Sequence, residues 1–212
     1  NLATAGISAV TAGTSNFVAG SNAGDSITSG GNNNTLIGDN AGTTITTASN
    51  NTAVGSRAMI ANTSGADNTA VGEQALTVNT TGANNTAIGK AALLLNTTAS
   101  NNTAVGSSAM YANTTGTRNT AVGANALDAN TTGSYNSAFG THAGSSITTG
   151  TLNSVFGDYA LAATTTASGN SAFGQAALGT NSTGANNSAF GKDALYANTT
   201  GGNNTAVGYE SL

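Results

Sequence analysis

The sequence Asn-Thr/Ser-Ala-Val/Ile/Phe-Gly recurs along the chain with its glycine at 38, 55, 72, 89, 106, 123, 140, 157, 174, 191 and 208, a spacing of 17 residues without a slip. An earlier, distorted copy, Asn16-Phe17-Val18-Ala19-Gly20, stands 18 residues ahead. With the Asn as first position, the unit reads Asn-Thr/Ser-Ala-Val/Ile/Phe-Gly-x-x-Ala-Leu/Met-x-x-Asn-Thr-Thr-Gly-x-x, and Asn85 to Asn101 is one example. Positions below are places in this unit. Repetition this strict specifies a solenoid, in which each turn rests on the next and none folds alone. A helix pair needs about 30 residues or more, so a 17-residue unit fits one turn of a β-solenoid with two or three short strands. The expected architecture is all-β: a parallel β-solenoid, or β-roll, of about twelve turns over residues 16–212, after an irregular N-terminal lead-in at 1–15. Stacking at about 4.8 Å per turn gives a rod of roughly 55–60 Å. It also lets the Asn column that begins Asn34, Asn51, Asn68 form an amide ladder.

Substitutions that travel together within the chain predict which side chains share a face. Turns with Val or Ile at the fourth position carry Thr at the second (Thr35, Thr52, Thr69, Thr86, Thr103, Thr120, Thr205), while those with Phe139, Phe156, Phe173 and Phe190 carry Ser137, Ser154, Ser171 and Ser188. A methyl is removed wherever a ring arrives, so the two positions share one face of a strand, and such volume exchange reads as a packed interior. Where the ninth position is Gly (Gly24, Gly42, Gly144), the residue three later becomes Ile (Ile27, Ile45, Ile147), which restores lost apolar volume. With the second and fourth positions inward, the third faces out. Its alanines Ala53, Ala70, Ala87, Ala104, Ala121, Ala138, Ala172, Ala189 and Ala206 then form an external apolar stripe, a candidate oligomer interface.

Composition narrows the function classes. Only four basic and eight acidic residues occur, with no Cys, Pro or Trp. There is no basic patch for nucleic acid or anionic lipid, no disulfide framework and no thiolate chemistry. No apolar run reaches the ~18 residues of a membrane span, so no membrane insertion is expected. One histidine, His142, makes no His-rich metal site, and no cofactor motif appears. The charged residues occupy the sixth position (Asp39, Glu73, Lys90, Asp158, Lys192), the seventh (Arg57, Asp193, Glu210), the tenth (Asp25, Asp128) and the seventeenth (Asp67, Arg118). These read as solvated, variable corners. Carboxylates scattered singly over the turns argue against a glycosidase or lyase site, and against an enzyme generally. The sequons at Asn62, Asn79, Asn96, Asn113, Asn130 and Asn198 read as ladder residues in a phage or bacterial product, whereas a secreted eukaryotic source would reverse that reading. The chain starts without Met and stops in mid-pattern, which reads as an excised piece of something longer.

The unit running from Asn68-Thr69-Ala70-Val71-Gly72 through Asn79-Thr80-Thr81-Gly82 resembles the repeats of bacteriophage tail-fibre and related bacterial surface proteins. It is also similar to a longer form of the head repeats of trimeric autotransporter adhesins. The resemblance covers nearly the whole chain from about Asn16. It implies a parallel β-roll, three chains side by side, on an extracellular fibre at a virion tail or bacterial cell surface. The expected function is a structural and adhesive fibre segment, homotrimeric, whose corner residues meet a cell-surface glycan or protein receptor. The alternative is an ice-binding or other lone β-solenoid, which regular outward Thr ranks would favour. The inward reading of the second-position Thr stands against it.

Overall fold

The computed structural model describes residues 7–8 and 12–212. Thirteen short strands follow in chain order: β1 (Ile7–Ser8), β2 (Phe17–Ala19), β3 (Thr35–Ile37), then one strand per turn to β13 (Thr205–Val207). β1 lies antiparallel to β2, and β2 to β13 are parallel, each paired with its sequence neighbours in one continuous sheet. The register is that of the repeat: Thr69 opposite Thr86, Ala70 opposite Ala87, Val71 opposite Ile88. The chain is therefore a parallel β-solenoid with a 17-residue turn, and no helix occurs among the described residues. The N-terminal lead-in contains β1, and the expectation of irregularity over 1–6 and 9–11 lies outside the described residues.

Each turn has one strand, not the two or three expected. The cause is backbone shape. Positions seven, nine and seventeen adopt left-handed φ, as at Tyr159 (53°), Leu161 (51°) and Leu152 (60°), which curls the chain where a second strand would have to extend. Such residues are held because the neighbouring turns take up their amides: Tyr159 N–H donates to Thr141 O at 3.0 Å and Leu161 N–H to Ala177 O at 2.9 Å. The fifth position must be glycine on two counts. Its φ lies near +134°, and a Cβ on Gly89 would stand 2.4 Å from the carbonyl oxygen of Gly106.

Two buried polar columns run along the rod, the second broken in a few turns. The first-position Asn accepts the next turn's backbone N–H on Oδ1 (Asn119 N to Asn102 Oδ1, 2.9 Å) and donates Nδ2 across its own turn (Asn102 Nδ2 to Gly116 O, 2.8 Å). This column joins side chain to backbone throughout and, over part of its length, forms the expected amide ladder as well, as at Asn51 Nδ2 to Asn34 Oδ1 (3.2 Å) and Asn153 Nδ2 to Asn136 Oδ1 (3.0 Å). A second amide-to-amide ladder stands at the twelfth position, where Asn79, Asn96, Asn113 and Asn130 each donate to the preceding Asn at 2.8–3.0 Å. It stops where Ile147 replaces Asn, and Asn130 Oδ1 is left buried with no protein partner. The sequon residues Asn62, Asn79, Asn96, Asn113 and Asn130 are fully buried ladder members, so no glycan could be attached there in the folded chain.

The facing derived from covariation is inverted. The third-position alanines line the interior with the eighth-position Ala and the ninth-position Leu or Met, and they are at most 5% exposed. The second and fourth positions do share a face, but it is the outer one. The reason is width: in the regular turns the ninth position already supplies one large interior side chain, as Met59, Leu76, Leu93, Met110, Leu127 and Leu178. The strand opposite can then afford only a methyl. Where the ninth position is Gly the exchange with Ile holds as expected: a Cβ on Gly42 would lie 2.8 Å from Ile45 Cδ1 and 2.9 Å from Leu36 Cδ2.

Candidate binding surfaces

The outward strand face is built from the second and fourth positions. Thr35, Thr52, Thr69, Thr86, Thr103 and Thr120 form one half-exposed column, and Val54, Val71, Ile88, Val105 and Val122 form the other. The second continues as a ladder of Phe139, Phe156, Phe173 and Phe190, whose centroids are 4.7, 4.7 and 5.0 Å apart with planes within 8–11° of parallel. These rings, expected inside, stack on the surface, with Phe156 36% and Phe190 42% exposed. Every charged residue lies beyond the fifth position, so this face carries no charge along its length.

The candidate oligomer interface at Ala53, Ala70, Ala87, Ala104, Ala121, Ala138, Ala172, Ala189 and Ala206 is thereby corrected. These methyls are inside one chain and cannot touch another. A signal for this was in the sequence. The third position is Val18 and Leu36 in turns whose ninth position is Gly24 and Gly42, and Val155 follows the turn of Gly144. Volume lost at the ninth position is regained at the third, which puts both in the same interior.

The corner charges are solvated as expected, apart from the partly buried Asp128 and Asp193. Glu73 and Lys90 pair at 3.2 Å, and Arg118 Nη1 donates to Tyr135 Oη at 2.7 Å. Asp193 holds Lys192 Nζ at 2.7 Å. Burial pushes the Asp128 carboxyl above its usual range, against two backbone hydrogen bonds and nearby His142. His142 stacks on Tyr159 at 4.7 Å and 11°. Beyond that pair is a cleft of about 380 Å³ lined by Tyr159, Ala162, Gln175, Ala176, Gly179 and Tyr196, which sequence reasoning missed. Among the described residues no group of three or more His, Cys, Asp or Glu is placed to hold a metal ion.

The fold and its exposed surfaces define a β-solenoid rod with an uncharged, largely apolar sheet face and an aromatic cleft at one corner. Comparison with protein-family models, with curated proteins and with solved structures gave no match.

Proposed function

We propose that the chain is a non-catalytic structural and adhesive segment of an extracellular fibre, a phage tail fibre or bacterial surface adhesin, in which three copies associate lengthwise through the second- and fourth-position face. The observation that carries this reading is the charge-free apolar column from Ile37 through the Phe139–Phe190 ladder. Contiguous exposed apolar surface of this kind marks an association site. A partner matching it turn for turn needs the same axial period, which another copy of the chain has. The Phe block occupies four successive turns toward one end, so parallel, in-register copies set ring beside ring, whereas antiparallel copies would set rings against the slimmer Val turns.

Sedimentation of the parent against Val105→Glu/Val122→Glu tests the reading. The parent is expected near 60 kDa for three chains of 20.3 kDa, and the variant as a folded monomer, since unpaired carboxylates resist desolvation. A monomeric parent, or a variant as associated as the parent, overturns it.

One observation favours a second reading. Thr35 through Thr120 form an outward Thr rank beside Val and Ile on a regular parallel sheet, the arrangement that suits ice binding. The Ser and Phe turns interrupt that rank, which ranks it second. A monomeric parent that halts ice-crystal growth, and loses the effect in Thr86→Asn/Thr103→Asn, would establish it.

A further inference from the structure

The seventh-position column runs along a corner past the glycine, off the strand face. His142 and Tyr159 stack there one turn apart at 4.7 Å. The next member is Ala176, which presents no ring, and the one after it is Asp193. The face of Tyr159 away from His142 therefore looks into a slot two turns deep, roughly 9.5 Å between its bounding side chains, which leaves room for one ring at stacking distance. The tenth position is small at the same level, with Ala162 and Gly179 forming the floor. Tyr196 leans over Gly179 so closely that a Cβ there would stand 2.8 Å from a carbon of its ring. Tyr159 is 50% and Tyr196 47% exposed, and Gln175 stands on the rim.

We propose that this cleft binds one neutral pyranose ring of a glycan, its C–H face stacked on Tyr159 and its hydroxyls meeting Gln175 and the phenols. Tyrosine suits such a ligand because it joins an apolar ring face to a polar tip. A volume of about 380 Å³ is at the small end of ligand sites and admits a single sugar with its neighbours in solvent. Charge disfavours an anionic ring such as a sialic acid or nucleotide: the lining carries no cation, Asp193 follows Ala176 in the column that bounds the slot, and Lys192, the nearby cation, is already paired with Asp193. The proposal rests on the adhesive reading above for its role, but the cleft belongs to a single chain and lies away from the strand face.

The test uses the whole chain and three neutral probes, cellohexaose, mannohexaose and galactohexaose, with hexagalacturonate as the anionic control. Saturation-transfer NMR is expected to show millimolar binding of at least one neutral probe and none of the control. Tyr159→Ala and Tyr196→Ala should each weaken it at least tenfold. Ala176→Tyr should do the same with both tyrosines intact, by filling the slot with the chain's own ring; Tyr159 has the same backbone conformation, φ 53° against 54°, so the replacement is tolerated. Absence of binding by all three neutral probes, equal binding by Ala176→Tyr, or a cleft that takes a tyrosine-rich peptide in place of sugar would overturn the proposal. Sedimentation of the parent separates the two ideas: a monomeric parent that binds sugar sinks the fibre interface alone, and an associated parent that binds none sinks the glycan site alone.

Discussion

Asp128 occupies a corner position like the other charges, yet its turn draws it inward beside His142, and one carboxylate oxygen is buried with no protein partner. Desolvation, the leading cause, raises its pKa above the ordinary 3.8. The unfolded chain thus ionises first as pH rises. The stability lent by protonated Asp128 is full below about 3.8 and is lost as pH climbs through the higher folded value. Asp128→Asn should therefore raise the Tm at neutral pH, with the gain shrinking on acidification and vanishing below the ordinary carboxylate range. Thermal melts of both proteins at several pH values check this, and a gain that grows on acidification would contradict it. Neither this residue nor orphaned Asn130 was legible in the sequence, because each depends on what the adjacent turn places beside it. Only the break of the Asn column at Ile147 was visible.

At the scale of one turn, the parallel register and the Gly-to-Ile exchange were legible, since each follows from spacing and volume. The direction of the strand was not. The exchange of Thr for Ser beside Phe reports contact between second and fourth positions, and crowding arises on an outer face as readily as in a core once rings stack at every turn. Interior and exterior separate only when the ninth position is read with the third. Energetics distinguish the two faces. Leu93 is fully buried, and Leu93→Ala should cost about 2–5 kcal/mol through transfer and cavity terms. Phe156 remains partly in water, so Phe156→Ala should cost the lone chain less, chiefly two stacked contacts worth about 0.5–1.5 kcal/mol each. Denaturant unfolding at concentrations where the chain is monomeric compares them, and a larger loss for Phe156 would restore the inward assignment.

Over the whole molecule, each turn contacts its sequence neighbours through the same set of bonds, so stability is close to a sum of turn and interface terms. The phase of the repeat then matters more than the number of turns. Deleting residues 85–101 joins Asn84 to Asn102 with every column in step: Asn102 N–H meets the Oδ1 of Asn68, and Asn113 follows Asn79 in the twelfth-position ladder. That variant should fold cooperatively, keep its β circular dichroism and form a rod shorter by about 4.8 Å in solution scattering, with a Tm within a few degrees of the parent. Deleting residues 85–100 removes one residue fewer and leaves Asn101 where Asn102 belongs. The second Asn, not Thr, would then enter the strand, Thr103 would point inward at the third position, and the fifth, which requires glycine, would receive Val105. Since a side chain at that corner meets the next turn's carbonyl, one turn must loop out or both halves must separate, and the melt should broaden or split. If the two deletions melt alike, turns are not held by phase, and the column bonds described above contribute little to the rod.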